Sequence, residues 1–161
     1  MIVESLPIYI DPKAWDQMLT AAGRDDDIET GGVLLGWREE HMLCVIQMLE
    51  VYDDEARRTS YTRRRSLAEK LMSEVLDRLP GDTSIGYVGE WHVHPAPIGP
   101  SITDQKELKR FSKTSENSLG MIVCAREVDA EWKPHGLLGT KGHVVSATVR
   151  IEEVAVNGSE W

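Results

Sequence analysis

Residues 85–104 constrain the fold more than any other stretch, because they specify a strand, a rigid turn and a helix that meet at one point. Ile85, Tyr87, Trp91 and Val93 alternate on one face of the strand, and Val88, Glu90, His92 and His94 on the other. Pro95, Pro97, Gly99 and Pro100 end the strand in a stiff turn, and Ser101 then opens a helical pattern whose apolar positions include Leu108 and Phe111. Side chains two apart on a strand share a face, with Cα atoms roughly 6.5–7 Å apart. The imidazoles of His92 and His94 can therefore both reach one metal at about 2.0–2.1 Å. Asp104, three residues into the helix, points back at the strand end and offers an oxygen. Three protein ligands leave the fourth position of a zinc ion open to water, the arrangement of a hydrolytic site rather than a structural one.

Ser101-x-x-Asp104 is also a capping pattern, with the serine as N-cap and the aspartate at the third position. Capping explains neither histidine, so the metal reading and the cap stand together. A hydrolytic zinc site needs a general base, and two glutamates compete for that role. Glu90 shares the face of His92 but lies behind it, where it would orient a ligand. Glu29 follows Asp25-Asp26-Asp27, a setting that ordinarily means solvated surface. Spacing alone does not choose between them.

The whole chain reads as one compact unit. At 161 residues with 41% apolar content it can bury a single core. The expected division is a domain over residues 1–155 and a polar tail over 156–161. A net charge of −9 argues against general nucleic-acid binding, which needs a basic face. Arg57, Arg58, Arg63, Arg64 and Arg65 form the one basic patch, read either as a solvated helix entry or as a dock for an acidic partner. Cys44 and Cys124 each lie in an apolar run and read as buried strand residues; with no Cys-x-x-Cys, a zinc ribbon is excluded. His41, His135 and His143 fall outside the motif and read as surface or core histidines. The first ten residues do not resemble a signal peptide, and no apolar run approaches the ~18 residues of a membrane span, so the expected compartment is the cytoplasm.

The element order is mixed. Residues 6–10 read as a short strand, and Asp11-Pro12 as a cap and first helical residue. Trp15, Met18, Leu19 and Ala22 mark a helix ending near Gly23. Residues 30–37 and 42–52 form an expected hairpin. Leu67, Leu71, Met72, Val75, Leu76 and Leu79 share one face of a second helix, stopped by Pro80-Gly81. After the metal strand and its helix come strands near 119–125, 132–139 and 143–152. Strands dominate and the late ones follow through short turns, which favours a single-domain α/β fold with a mixed, largely antiparallel sheet flanked by helices.

The string His92-x-His94-Pro95 followed by Ser101-x-x-Asp104 resembles the signature of the JAMM/MPN zinc metalloproteases, and Gly89-Glu90-Trp91 is similar to bacterial members, the branch that acts on ubiquitin-like proteins. Glu29-Thr30-Gly31-Gly32-Val33-Leu34-Leu35-Gly36 is similar to the family's glutamate ahead of a small-residue strand. The turn differs slightly, with six residues between His94 and Ser101 where the family usually has seven. The resemblance implies an α/β sandwich. It also implies one zinc per chain on His92, His94 and Asp104, with Glu29 as general acid/base and Ser101 helping to stabilise the oxyanion. The implied reaction is cleavage after the C-terminal glycine of a ubiquitin-like protein or its conjugate, with cognate activating and conjugating enzymes as partners and antiviral defence as one setting. Neither nucleic acid nor membrane is an expected partner. The alternatives are a non-catalytic scaffold of the same fold and a zinc peptidase that processes a sulfur-carrier protein. A zinc deaminase would need a Pro-Cys-x-x-Cys ligand pair that is missing here.

Overall fold

The computed structural model describes residues 6–24, 30–39, 42–51, 65–79 and 84–154. Glu29, His41, the arginines at 57, 58, 63 and 64, and the tail over 156–161 lie outside the described residues. Eight strands and three helices follow in the order β1 (Ile8–Ile10), α1 (Pro12–Gly23), β2 (Gly31–Glu39), β3 (Met42–Glu50), α2 (Arg65–Leu76), β4 (Gly86–His94), α3 (Ile102–Lys113), β5 (Leu119–Arg126), β6 (Trp132–Thr140), β7 (His143–Ala147) and β8 (Val149–Ile151). The strands form one sheet in the order β7-β6-β5-β4-β2-β3-β1-β8. Four of its seven pairings are antiparallel, and β1 with β3, β1 with β8 and β4 with β5 are parallel.

Local chemistry starts α1 as expected. Asp11 caps it by accepting from the Lys13 N–H at 3.0 Å, with Pro12 as the first helical residue. The helix buries Ala14, Trp15, Met18, Ala21 and Ala22 against one face of the sheet, in a core with Ile8, Ile10, Leu34, Val45, Trp91 and Ile122. The other face carries the two remaining helices. Leu108 and Phe111 of α3 cover Leu119, Met121 and Leu137, while Ala68, Leu71 and Met72 of α2 cover Val33, Val51 and Tyr87. Among the described residues no helix is long and apolar enough to cross a membrane.

Two sequence expectations change. The stretch 143–152 is not one strand. It breaks at Thr148, so that β7 pairs with β6 while β8 pairs with β1 at the far end of the sheet. The Thr148 carbonyl accepts from the Ile8 N–H at 2.9 Å. A single residue therefore links the two ends of the sheet, which must curl to bring them together.

The second change concerns the metal strand. The pairing of β2 with β4 slips between Leu34 and Leu35, where Leu34 faces Gly89 and Leu35 faces Tyr87. At this bulge Gly89 has φ +154°, and a Cβ there would run into the Gly120 carbonyl of β5. The extra residue inverts the alternation upstream. Val88 joins Trp91 and Val93 in the α1-side core, and Tyr87 turns to the face of Glu90 and His92.

Candidate metal centre

Strand β4 is held rigidly before it reaches the site. Trp91 is fully buried and its indole N–H donates to the Leu49 carbonyl at 3.2 Å. Gly31 of β2 pairs with His92, and the Thr30 carbonyl accepts from the Val93 N–H at 2.8 Å. A Cβ at Gly31 would overlap the Trp91 carbonyl and lie 2.9 Å from the His92 Cβ, so the small residue leaves room for the imidazole. On the other side β5 pairs in register, with Val123 opposite His92 and Ala125 opposite His94.

The strand end, turn and helix start converge as their sequence requires. His92, His94 and Asp104 are the one group among the described residues whose ligand atoms cluster as a metal would need. The two Nε2 atoms stand 3.2 Å apart. Asp104 Oδ1 lies 2.9 Å from His92 Nε2, and Oδ2 lies 3.5 Å from His94 Nε2. Ligands held at about 2.0–2.2 Å around a tetrahedral zinc are separated by about 3.3–3.6 Å. The 3.2 and 3.5 Å spacings therefore fit that ion, and the 2.9 Å contact needs to open by a few tenths of an ångström. His92 and Asp104 are buried and His94 is nearly so.

Hydrogen bonds fix the protonation states. His94 Nδ1 donates to the Ile98 carbonyl at 3.0 Å, which leaves its Nε2 lone pair facing the cluster. Burial and the neighbouring His92 push the His94 pKa down, against the Ile98 and Gly99 carbonyls and Asp104, which raise it. Burial pushes the Asp104 carboxyl up. The hydrogen bond and charge of His92 and the bonds from Ser101 outweigh it and bring the carboxyl down to about 2. A neutral imidazole and an ionised carboxylate are the forms that bind a divalent cation.

The capping box and the ligand set coexist. Asp104 N–H donates to Ser101 Oγ at 3.1 Å, and Asp104 Oδ2 accepts from the Ser101 N–H at 2.6 Å. The serine oxygen accepts from the Asp104 N–H, and the hydroxyl also helps to lower the Asp104 carboxyl by hydrogen bonding to it.

Glu90 lies on the His92 face of β4, as its alternation predicts. Its Oε1 accepts from the Tyr87 hydroxyl at 3.1 Å, and the pair forms part of the floor of a groove of about 920 Å³. Glu69 and Met72 of α2 line one wall, and Glu107 and Arg110 of α3 the other, with His92 at one end. Sequence reasoning missed Tyr87 as a groove residue and the Ile98 carbonyl as the partner of His94. Gly89 within the strand was the available signal for the first, because an interior strand glycine marks a bulge or close backbone approach. A backbone carbonyl leaves no signal in the sequence.

Residues 11–145 match the family model described as prokaryotic homologs of the JAB domain. The chain belongs to the prokaryotic JAB-domain family. Across 96% of both chains it is 26% identical to a protein named probable metalloprotease y4qB from Sinorhizobium fredii. It is 34% identical over 102 residues to a Vibrio cholerae protein named CD-NTase/cGAS isopeptidase, covering 62% of this chain and 64% of that one. The solution structure of protein DSY2949 from Desulfitobacterium hafniense superposes with a TM-score of 0.64 at 21% identity, covering 91% of this chain and 94% of that one, and shows the shared fold. Family membership, the metalloprotease relative and the converging ligand atoms identify a JAB-type metalloprotease.

Proposed function

We propose that this chain is a zinc-dependent isopeptidase or peptidase that cuts after the C-terminal glycine of a ubiquitin-like protein, either conjugated to a lysine or fused to a following segment. The observation that carries the reading is the convergence of His92 Nε2, His94 Nε2 and the Asp104 carboxylate at the end of a groove. His92, His94 and Asp104 hold one zinc, which when bound brings the pKa of a coordinated water from 15.7 toward about 7. Glu29 accepts the water's proton and returns it to the leaving amine. That role comes from the family resemblance. It is supported by Thr30, the next residue, whose carbonyl is bonded to Val93 between the two histidines. Ser101 donates its hydroxyl proton to the oxyanion of the tetrahedral intermediate while its oxygen keeps the cap.

The groove suits an extended tail that ends in small residues. Strands β2, β4 and β5 are each paired on both sides, so none of them presents an edge at the site. The tail therefore lies along side chains over β4, and its glycines pass the crowded end beside His92. The isopeptidase name of the Vibrio relative supports a conjugate as substrate. Activating and conjugating enzymes as partners, and defence as one setting, come from the family resemblance.

The test is incubation of the zinc-loaded chain with ubiquitin-like proteins of the source organism fused through the terminal glycine, with and without chelator, read by mass spectrometry. The expected result is a chelator-sensitive cut at that glycine, reduced by ~10²–10⁴ in kcat in Glu29→Gln with zinc retained. Cleavage elsewhere, or none, would make a general zinc peptidase the better reading. Full activity in zinc-loaded Glu29→Gln would move the proton-transfer role to another residue.

A further inference from the structure

We infer that Glu50 is a positioning residue for the proton-transfer step: it fixes Thr30, and through Thr30 it sets where the adjoining Glu29 starts relative to the two histidines. The inference rests on the hydrolytic reading above, in which Glu29 moves the proton. Glu50 is the last residue of β3 and belongs to no part of the ligand cluster.

Its carboxylate divides two oxygens between the flanks of one short segment. Oε2 accepts from the Thr30 hydroxyl at 2.7 Å in a part-buried bond, and Oε1 pairs with the guanidinium of Arg24, the residue that caps the end of α1. Residues 25–29 join these flanks in the sequence, and Glu29 is the last of them. Consecutive Cα atoms lie about 3.8 Å apart, so anchoring Thr30 limits where Glu29 can begin. The Arg24 side chain is 53% exposed, and pairs of that kind fix little, so the Thr30 bond carries the positioning.

Thr30 is the joint between this carboxylate and the metal strand. Its hydroxyl bonds to β3, while its carbonyl accepts from the Val93 N–H at 2.8 Å, between His92 and His94. Gly31 and Gly32 follow it and have no side chain with which to hold the chain. The first side chain after Glu29 that can be fixed is therefore that of Thr30. A Cβ at Gly32 would overlap the Leu49 carbonyl, so the glycine lets β3 approach and Glu50 come within reach.

The strands do not need this bond to stay together. β2 pairs with β3 from Gly32 to Glu39, and the Val51 N–H donates to the Gly31 carbonyl at 2.9 Å. What the bond adds is the placement of Thr30. A reacting group misplaced by about 1 Å can lose ~10²-fold in rate with every ligand still present.

The test uses the zinc-loaded chain and ubiquitin-like proteins of the source organism fused through the terminal glycine. Thr30→Val and Glu50→Ala should each lose roughly tenfold or more in kcat, with KM and zinc affinity within about threefold of wild type. Thr30→Ser, which keeps the hydroxyl, should stay within about threefold in all three quantities. Added to Glu29→Gln, Glu50→Ala should lower the residual rate by about twofold or less, because the group it positions is gone. A readout independent of activity is amide exchange in the zinc-free folded protein. There the Val93 N–H should exchange roughly tenfold faster in Thr30→Val and Glu50→Ala than in wild type or Thr30→Ser. An unchanged kcat in Thr30→Val, an unchanged Val93 exchange rate, or an undiminished loss in the Glu29→Gln background overturns the positioning role while the hydrolytic reading stands. If the wild type cuts none of the fusions, the hydrolytic reading fails and the inference with it.

Discussion

Replacing Gly31 by alanine should damage the metal centre from a position that touches no metal. The new Cβ would overlap the Trp91 carbonyl and sit 2.9 Å from the His92 Cβ. Carbon atoms prefer about 3.5–4.0 Å, so the two strands must part by roughly half to one ångström. Trp91 is fully buried and bonded to Leu49, so the strand cannot yield on its core face and the shift falls on His92. Overpacking of this kind costs about 1–3 kcal/mol of stability. Displacing one ligand of a shared site should weaken zinc by roughly 10–100-fold, the scale seen when ligand-orienting groups are lost. Urea unfolding of the zinc-free protein measures the first quantity, and competition against a chromogenic chelator the second. Stability within about 0.5 kcal/mol of wild type together with unchanged zinc affinity would refute the claim that the glycine clears space for His92.

Three further outcomes follow from the described geometry. Ser101→Ala should lose about 1 kcal/mol through the cap and ~10²–10³ in kcat through the oxyanion donor, with zinc retained; a loss of stability alone would remove the catalytic role. In the zinc-free protein Asp104 has its carboxyl at about 2 instead of 3.8, so its stabilising contribution is present above pH 4 and is lost as pH falls through 2. The stability difference between wild type and Asp104→Asn should therefore shrink by about 2 kcal/mol between pH 5 and pH 2, and a difference independent of pH would contradict the depressed carboxyl. Burial, with Glu39 adding to it at Cys44, pushes the two thiols up to about 11 at Cys44 and about 12 at Cys124. Both should resist iodoacetamide at pH 8 in the folded protein and react after denaturation, and rapid alkylation of either in the native state would place that cysteine at the surface.

Much of this was legible because the decisive signals are local. Asp11-Pro12 marks the start of α1 and Ser101-x-x-Asp104 the start of α3, each through a hydrogen bond within a few residues. The two histidines share a face because nothing interrupts β4 after Gly89. Before Gly89 the same alternation misled, since Val88 and Tyr87 exchange faces at the bulge. That bulge depends on the close approach of Gly120, thirty-one positions away in the sequence. The break at Thr148 is likewise invisible locally, because β8 finds its partner in β1 at the other end of the chain. The alternation assigns Glu90 to the face of the histidines, and it is found there. With Tyr87 turned to its side, it is a groove residue bonded to that phenol. The groove itself joins α2 to α3 across β4, a juxtaposition that only the sheet order creates.

Metal analysis tests the central claim most directly. The purified chain, saturated with zinc and then desalted, should retain about one zinc per chain, and His92→Ala/His94→Ala and Asp104→Ala should retain almost none while still folded. Stoichiometric zinc in the folded histidine double variant would contradict the assignment of this strand, turn and helix as the metal centre.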